Sequence, residues 1–254
     1  MNFCINVKYF IKMFKKLCKQ DKVLKNYSNF LDVKVGIAKD ELAPVQNSRV
    51  LIAGNTGCGK TVLALNLILE YLPWTRLYIY CKDPFEKKYQ FLQQVLERVK
   101  QKDKINGGKD FFWFHNAAED IINVDALDKN EINLVVFDDF LADREAVPKI
   151  TDLFIRGRKK NCTILYLTQS YFNTPKVIRL QCNYNIFFKV PDDREINSIF
   201  CNHTMSLDRK TFTQIFKEAT KEPHSFLMLD HLTQDESKQI RKNLDQGYVK
   251  EKCN

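Results

Sequence analysis

An α/β fold, with a mostly parallel central sheet flanked by helices, is predicted by three features of this sequence. Short apolar runs alternate with longer helical patterns between residues 46 and 190. These runs are apolar throughout instead of at every second position, as expected of parallel strands covered on both faces. A glycine-rich loop, GNTGCGKT at Gly54–Thr61, stands between the first such strand and the first helix.

Residues 1–45 precede this pattern and read as a basic amphipathic segment. Phe3, Val7, Phe10, Phe14 and Leu17 recur at helical spacing, and Lys8, Lys12, Lys15, Lys16 and Lys19 fill the other side. A helix is expected there, docked on its own domain, on DNA or, through residues 1–30, peripherally on a membrane surface. Arg49–Ala53 is then the first strand and Thr61–Leu72 a strongly apolar helix. Strand Arg76–Cys81 is followed by a charged helix over Phe85–Lys102, and Phe111–His115 and Leu134–Phe137 read as further strands. A helix over Arg144–Lys159 leads to strands Thr163–Thr168 and Asn185–Val190. Residues 191–254 are more polar and read as a mainly helical extension with one apolar run, Ser225–Leu229.

Composition narrows the class. The 254 residues are 44% hydrophobic and 28% charged, which suits a buried core and excludes wholesale disorder. Lys+Arg 40 against Asp+Glu 31 leaves a charge of +9, a balance that favours a polyanionic partner. No run approaches the roughly 18 apolar residues of a spanning helix. The start has no secretory pattern, and the 8 cysteines include no C-x-x-C pair, so reduced core cysteines in a protein that is not secreted are expected. Cys182, Cys201 and His203 match no zinc spacing.

The loop fits G-x-x-x-x-G-K-[ST] at every position, which makes residues 46–190 a P-loop nucleotide-binding core. Backbone N–H groups from Asn55 through Thr56, Gly57, Cys58 and Gly59 to Lys60 would wrap a β-phosphate at the positive end of a helix. Gly54 and its two loop partners leave the backbone room to approach. Lys60 would reach the β- and γ-phosphates of ATP, and the Thr61 hydroxyl would ligate Mg²⁺. The plain alternative is a glycine turn that holds nothing.

LVVFDD at Leu134–Asp139 is an apolar strand ending in two carboxylates. Asp138 would hold Mg²⁺, and Asp139 would orient or deprotonate an attacking water. A second acid at this point favours hydrolysis over transfer to a small acceptor. TILYLTQS ends another strand with Thr168 and Gln169, where a polar group can read the γ-phosphate; a simple loop start is the alternative. Before it lies IRGRKKN, in which Arg158, and less so Arg156, is a candidate arginine finger for a neighbouring subunit. A basic helix end is the alternative there, and Arg179 is a weaker candidate.

Taken together, RVLIAGNTGCGKT, LVVFDDF and GRKKNCTILYLTQSYFNTPKVIRLQCNYNIFF resemble the poxvirus-type virion DNA-packaging ATPases of the FtsK–HerA superfamily, found in large DNA viruses, virophages and Polinton-type elements. The resemblance covers about residues 47–190. It implies a RecA-like P-loop NTPase fold with an extra strand between the Walker A and Walker B strands, supplied by Arg76–Cys81 or Phe111–His115. It carries Lys60, Thr61, Asp138, Asp139 and Gln169 into the roles above, with Asp139 standing where many relatives have Glu. The implied activity is Mg²⁺-dependent ATP hydrolysis by a ring, six-fold in the family pattern, that drives double-stranded DNA into a capsid. Its partners would be DNA, further copies of the chain and capsid or portal-vertex proteins, in the virion or an intracellular viral assembly site. Two other classes stay open on the residues alone: a nucleotide kinase using the same loop, and a basic nucleotide-binding scaffold for DNA or membrane.

Overall fold

A computed structural model describes residues 14–18, 41–102, 110–140, 145–190, 192–203 and 207–248. In chain order the strands are β1 Phe14–Lys16, β2 Arg49–Ala53, β3 Arg76–Cys81, β4 Phe112–His115, β5 Asn133–Asp138, β6 Cys162–Thr168, β7 Tyr184–Phe188, β8 Phe226–Asp230, β9 Ile240–Lys242 and β10 Gln246–Tyr248. The helices are α1 Lys60–Asn66, α2 Lys87–Lys102, α3 Ala146–Arg156, α4 Lys176–Gln181, α5 Asp193–Asn202, α6 Arg209–Ala219 and α7 Glu236–Gln239. All ten strands form one sheet in the order β1-β10-β9-β8-β7-β2-β6-β5-β3-β4.

The six strands from β7 to β4 are parallel, as the unbroken apolar runs require. Successive residues feed opposite faces: Leu51, Val135, Phe137, Ile164 and Tyr166 enter one core, while Val50, Ile52, Leu134, Val136 and Leu165 enter the other. α1 and α2 cover the second face with Leu63, Leu65, Tyr89, Leu92 and Leu96. α3 to α6 cover the first, with Ile150, Leu153, Phe154, Ile199, Phe212 and Phe216. At about 25 cal/mol per Å² of apolar surface, each such side chain contributes about 1.5–3 kcal/mol. α5 and α6 start at Asp192 and Asp208, whose carboxylates accept from the N–H groups of Arg194 and Thr211 at 2.8 and 2.9 Å.

Three findings differ from the sequence reading. The strand between β2 and β5 is β6, whereas Arg76–Cys81 and Phe112–His115 lie beyond β5. Spatial neighbours in a crossover sheet need not follow chain order, so the extra strand is the later one that ends in Thr168.

The sheet also does not stop at 190. Phe226–Asp230 pairs antiparallel with β7 over the full strand, and β9 and β10 follow by antiparallel pairing. The described residues between 192 and 248 thus share the core's hydrophobic layers, with α5 and α6 on one face and Phe226 and Met228 on the other.

Finally, Phe14–Lys16 is a strand and not part of a helix: it pairs with β10, Phe14 opposite Tyr248. Their rings meet edge to face at 6.3 Å, and the open backbone edge of β10 outcompetes the helical spacing of the side chains. The rest of the expected helix, with Phe3, Val7 and Phe10, lies outside the described residues. Among the described residues no helix is long and apolar enough to cross a membrane.

Candidate active site

The C-terminal edge of the parallel strands carries the site, the usual place for ligands in such sheets. β2 is wholly buried and ends at Ala53. Gly54 then turns away while its N–H donates to the Thr168 carbonyl at 3.1 Å, which ties the loop to the end of β6. A side chain at Gly54 would stand 2.7 Å from Phe188 Cβ and 2.8 Å from Cys58 Sγ, so this position admits glycine alone. Lys60 folds back along the loop, and its Nζ donates to the carbonyls of Gly54 and Asn55 at 2.7 and 3.1 Å. A phosphate entering the loop would take over these donors.

β5 delivers the two acids differently. Asp138 is its last residue, and the Tyr89 hydroxyl donates to Asp138 Oδ2 at 2.6 Å. Burial pushes the Asp138 carboxyl above the usual carboxylate range, with the Tyr89 hydrogen bond and the Lys60 charge working against the shift. Burial, with the Asp138 charge behind it, pushes the Tyr89 phenol well up, so it stays a donor.

Asp139 has a left-handed backbone, φ 60°, which Asp tolerates better than most residues. Its N–H still donates to the Leu167 carbonyl at 3.2 Å, which draws the chain toward β6. Its carboxylate thereby meets Gln169, whose Nε2 donates to Asp139 Oδ2 at 2.5 Å. Thr168 is buried and its hydroxyl donates to the Ser170 carbonyl at 3.1 Å, so of the two polar residues ending β6 it is Gln169 that faces outward.

Lys60, Asp138, Asp139 and Gln169 are therefore brought to one edge. The arginines are not. Arg158 sits in the 3₁₀ turn Gly157–Lys160, which enters β6 from its far end. Lys160 there accepts a hydrogen bond from Asn133, the first residue of β5, whereas Asp138 is the last. At about 3.3 Å per residue, Arg158 is thus on the order of 20 Å from the acids of its own chain. Arg156 is engaged with Asp125 and with Asp152, the latter at 2.9 Å. Arg179 lies at 4.9 Å over the ring of Tyr171, which follows Gln169 by two residues. Among the described residues no three or more His, Cys, Asp or Glu side chains, Cys182, Cys201 and His203 included, cluster as a metal-holding group.

Two residues here carried no motif. Tyr89 is an ordinary apolar-face position of α2 in sequence. His224 contacts the loop from 166 residues away, its Nδ1–H donating to the Cys58 carbonyl at 3.0 Å.

With this geometry fixed, comparison with known proteins is decisive for the family. The profile of the poxvirus A32 protein family matches residues 37–254. The chain belongs to the poxvirus A32 protein family.

The A32 match includes the C-terminal strands, consistent with one sheet. Among solved structures, the chain is similar to B204, the DNA-packaging ATPase of Sulfolobus turreted icosahedral virus, at 14% identity and a TM-score of 0.50, over 78% of this chain and 98% of that one. A second similar structure is the genome packaging NTPase B204 of Sulfolobus turreted icosahedral virus 2 in complex with ATPγS, at 13% identity and a TM-score of 0.46, over 77% of this chain and 95% of that one. At such identities the first match speaks for the fold that this A32 family member shares. No relative was found among curated protein sequences.

Proposed function

We propose that this chain is an ATP-hydrolysing motor that moves double-stranded DNA into a viral capsid. The observation that carries the hydrolysis is the Gln169–Asp139 pair, set at 2.5 Å beside a complete phosphate loop. Gln169 occupies one carboxylate oxygen of Asp139 and leaves the other to accept a proton from water. The amide carbonyl can hold the same water's second hydrogen, which aligns its lone pair with the γ-phosphate. Lys60 neutralises charge that grows on the β–γ bridge and γ oxygens as the bond opens.

The donor set around the loop fits Mg²⁺. Thr61 and Asp138 are hard oxygen ligands, and a carboxylate whose charge burial disfavours gains from a dication. Thr61 and Asp138 would hold the ion, and the chemistry it would supply there is withdrawal of charge from the phosphate oxygens. Tyr89 holds one Asp138 oxygen, so the other is the one that would serve as a ligand.

Membership of the family, read with the resemblance, supports DNA, further copies of the chain and a capsid contact as partners, and the +9 charge agrees with a polyanionic track. A motor that is indifferent to sequence grips phosphates, so its affinity falls steeply with salt. B204, which shares this fold, is a DNA-packaging ATPase, and that supports the same reading here. In a ring, Arg158 can act only on a neighbouring copy, because its own acids lie at the other edge of the sheet.

The test is ATP hydrolysis by the assembled protein with and without long double-stranded DNA, across a salt series, beside Lys60→Ala. DNA stimulation that weakens with salt and vanishes in the variant is expected. Absence of hydrolysis in an assembled ring would overturn the motor.

A further inference from the structure

The two ends of the candidate site differ in chemistry. The acids and Gln169 stand on β5 and β6, on one side of the β2 loop. On the other side stand β7 and β8, and a nucleotide whose γ-phosphate faces Asp139 must send its nucleoside toward them. β8 is antiparallel to β7, with Phe226 opposite Phe188, so the chain just before β8 returns to the loop's edge of the sheet. That segment holds His224. A cavity of about 310 Å³ opens here beside Thr61 and Val62, walled by Lys88, Phe188 and His224. This is at the small end of the range of about 300–1,000 Å³ usual for small-molecule sites.

His224 is fixed from two directions. Its backbone is left-handed at φ 63°, and its Nδ1–H donates to the Cys58 carbonyl at 3.0 Å. A carbonyl only accepts, so Nδ1 carries the proton, and in the neutral tautomer that this bond selects Nε2 is left as a bare acceptor. The ring packs closely on the loop: a side chain added at Gly59 would meet His224 Nδ1 at 3.4 Å and Phe188 Cε1 at 3.5 Å.

We infer that His224, with Phe188 as its apolar neighbour, is the nucleoside-recognition element of this site, its Nε2 accepting a hydrogen bond from a donor on the nucleoside. The inference rests on the nucleotide reading of the loop. Two donors have this chemistry, the exocyclic amine of adenine and a ribose hydroxyl. The C-terminal segment thereby reads what the phosphate loop holds, which couples the last strands of the sheet to substrate choice.

Binding of Mg²⁺ complexes of ATP, 2′-deoxy-ATP, inosine triphosphate and inorganic tripolyphosphate, measured by calorimetry on the full chain and on His224→Asn, tests this. Asn tolerates the left-handed backbone and can keep the bond to Cys58, but it lacks the distal acceptor. The expected result is an ATP affinity about tenfold lower in the variant, with tripolyphosphate unchanged. Loss of a wild-type preference for ATP over inosine triphosphate assigns the amine, and loss of a preference over 2′-deoxy-ATP assigns the ribose. Equal weakening of ATP and tripolyphosphate, or no change in either, overturns the inference and leaves His224 a prop of the loop. A wild-type chain that binds neither removes the nucleotide reading itself.

Discussion

The Tyr89 hydroxyl donates a 2.6 Å hydrogen bond to Oδ2 of Asp138, joining the first turn of α2 to the end of the central strand β5. Tyr89 is 1% exposed, so this donor exchanges with no solvent. Removing it with Tyr89→Phe leaves a buried oxygen without a partner. We expect a loss of about 1–3 kcal/mol in unfolding free energy, read by urea denaturation. We also expect weaker Mg²⁺ dependence of nucleotide binding, because the carboxylate is no longer held in one rotamer.

Asp138 also sets a stability trade-off. The unfolded chain ionises this carboxyl at its ordinary value, and the folded chain at a higher pH because of burial. Between the two the folded state holds the extra proton, so stability falls as pH rises through that window and stays low above it. Asp138→Asn removes the charge and keeps an oxygen for Tyr89. The melting temperature of the ligand-free variant at neutral pH should therefore rise, while hydrolysis falls at least about a hundredfold. A lower melting temperature would contradict this account of the carboxylate.

Asp139 and Gln169 should behave as a unit. Each single change, Asp139→Asn or Gln169→Ala, is expected to lower the turnover number by about 10²–10⁴ with little effect on ATP affinity. The double variant should be no worse than Asp139→Asn alone, since both act on one water. Steady-state kinetics beside equilibrium binding separates the two quantities.

His203 supplies a second pH dependence of opposite sign. Burial lowers its pKa to about 3, with the nearby His231 and Arg179 charges adding to the effect. Its ring contacts the Tyr171 hydroxyl at 2.9 Å. Between about pH 6.5 and 3 the unfolded chain binds a proton that the folded chain refuses, so acid removes stability at up to about 1.4 kcal/mol per pH unit. His203→Gln, which can still bond Tyr171, should flatten that slope in denaturation curves measured from about pH 7 to about pH 4.

Ending the chain at residue 190 would expose β7. That strand pairs with β8 along its whole length, and Arg241, 1% exposed, reaches Asp230 at 3.2 Å and the Leu42 carbonyl at 2.6 Å. The shortened chain should fail to give a cooperative thermal transition. Arg241→Ala in the full chain should cost about 3–5 kcal/mol, because it strands Asp230 in the interior.

Legibility in the sequence followed the range of the interaction. β2, β3, β5 and β6 were readable within a residue or two because each buries both faces and has to be continuously apolar. The phosphate loop and the two acids were readable because their chemistry fixes local spacing. What escaped rests on contacts across the chain. Nothing near Tyr89 or His224 announces Asp138 or Cys58, and β9 and β10 are too short and polar to be told from loop. β1 misled for another reason: Phe14 fits a helical stripe as well as it fits an edge strand, and only the vacant side of β10 decides between them. Arg158 stood close in sequence to Gln169 yet lies at the opposite end of the strand that joins them.

That strand has a mechanical consequence. β6 is hydrogen-bonded along both edges, to β2 and to β5, so it cannot slide or stretch by itself. At one tip Gln169 touches the Asp139 carboxylate; at the other begin Lys160, Lys159 and Arg158. It is a push-rod about 20 Å long set between the strand that leads into the glycine-rich loop and the strand that ends in the two acids. Any shift of the Gln169 tip is delivered whole to a cluster of positive charge on the far rim, with no hinge along the strand to absorb it.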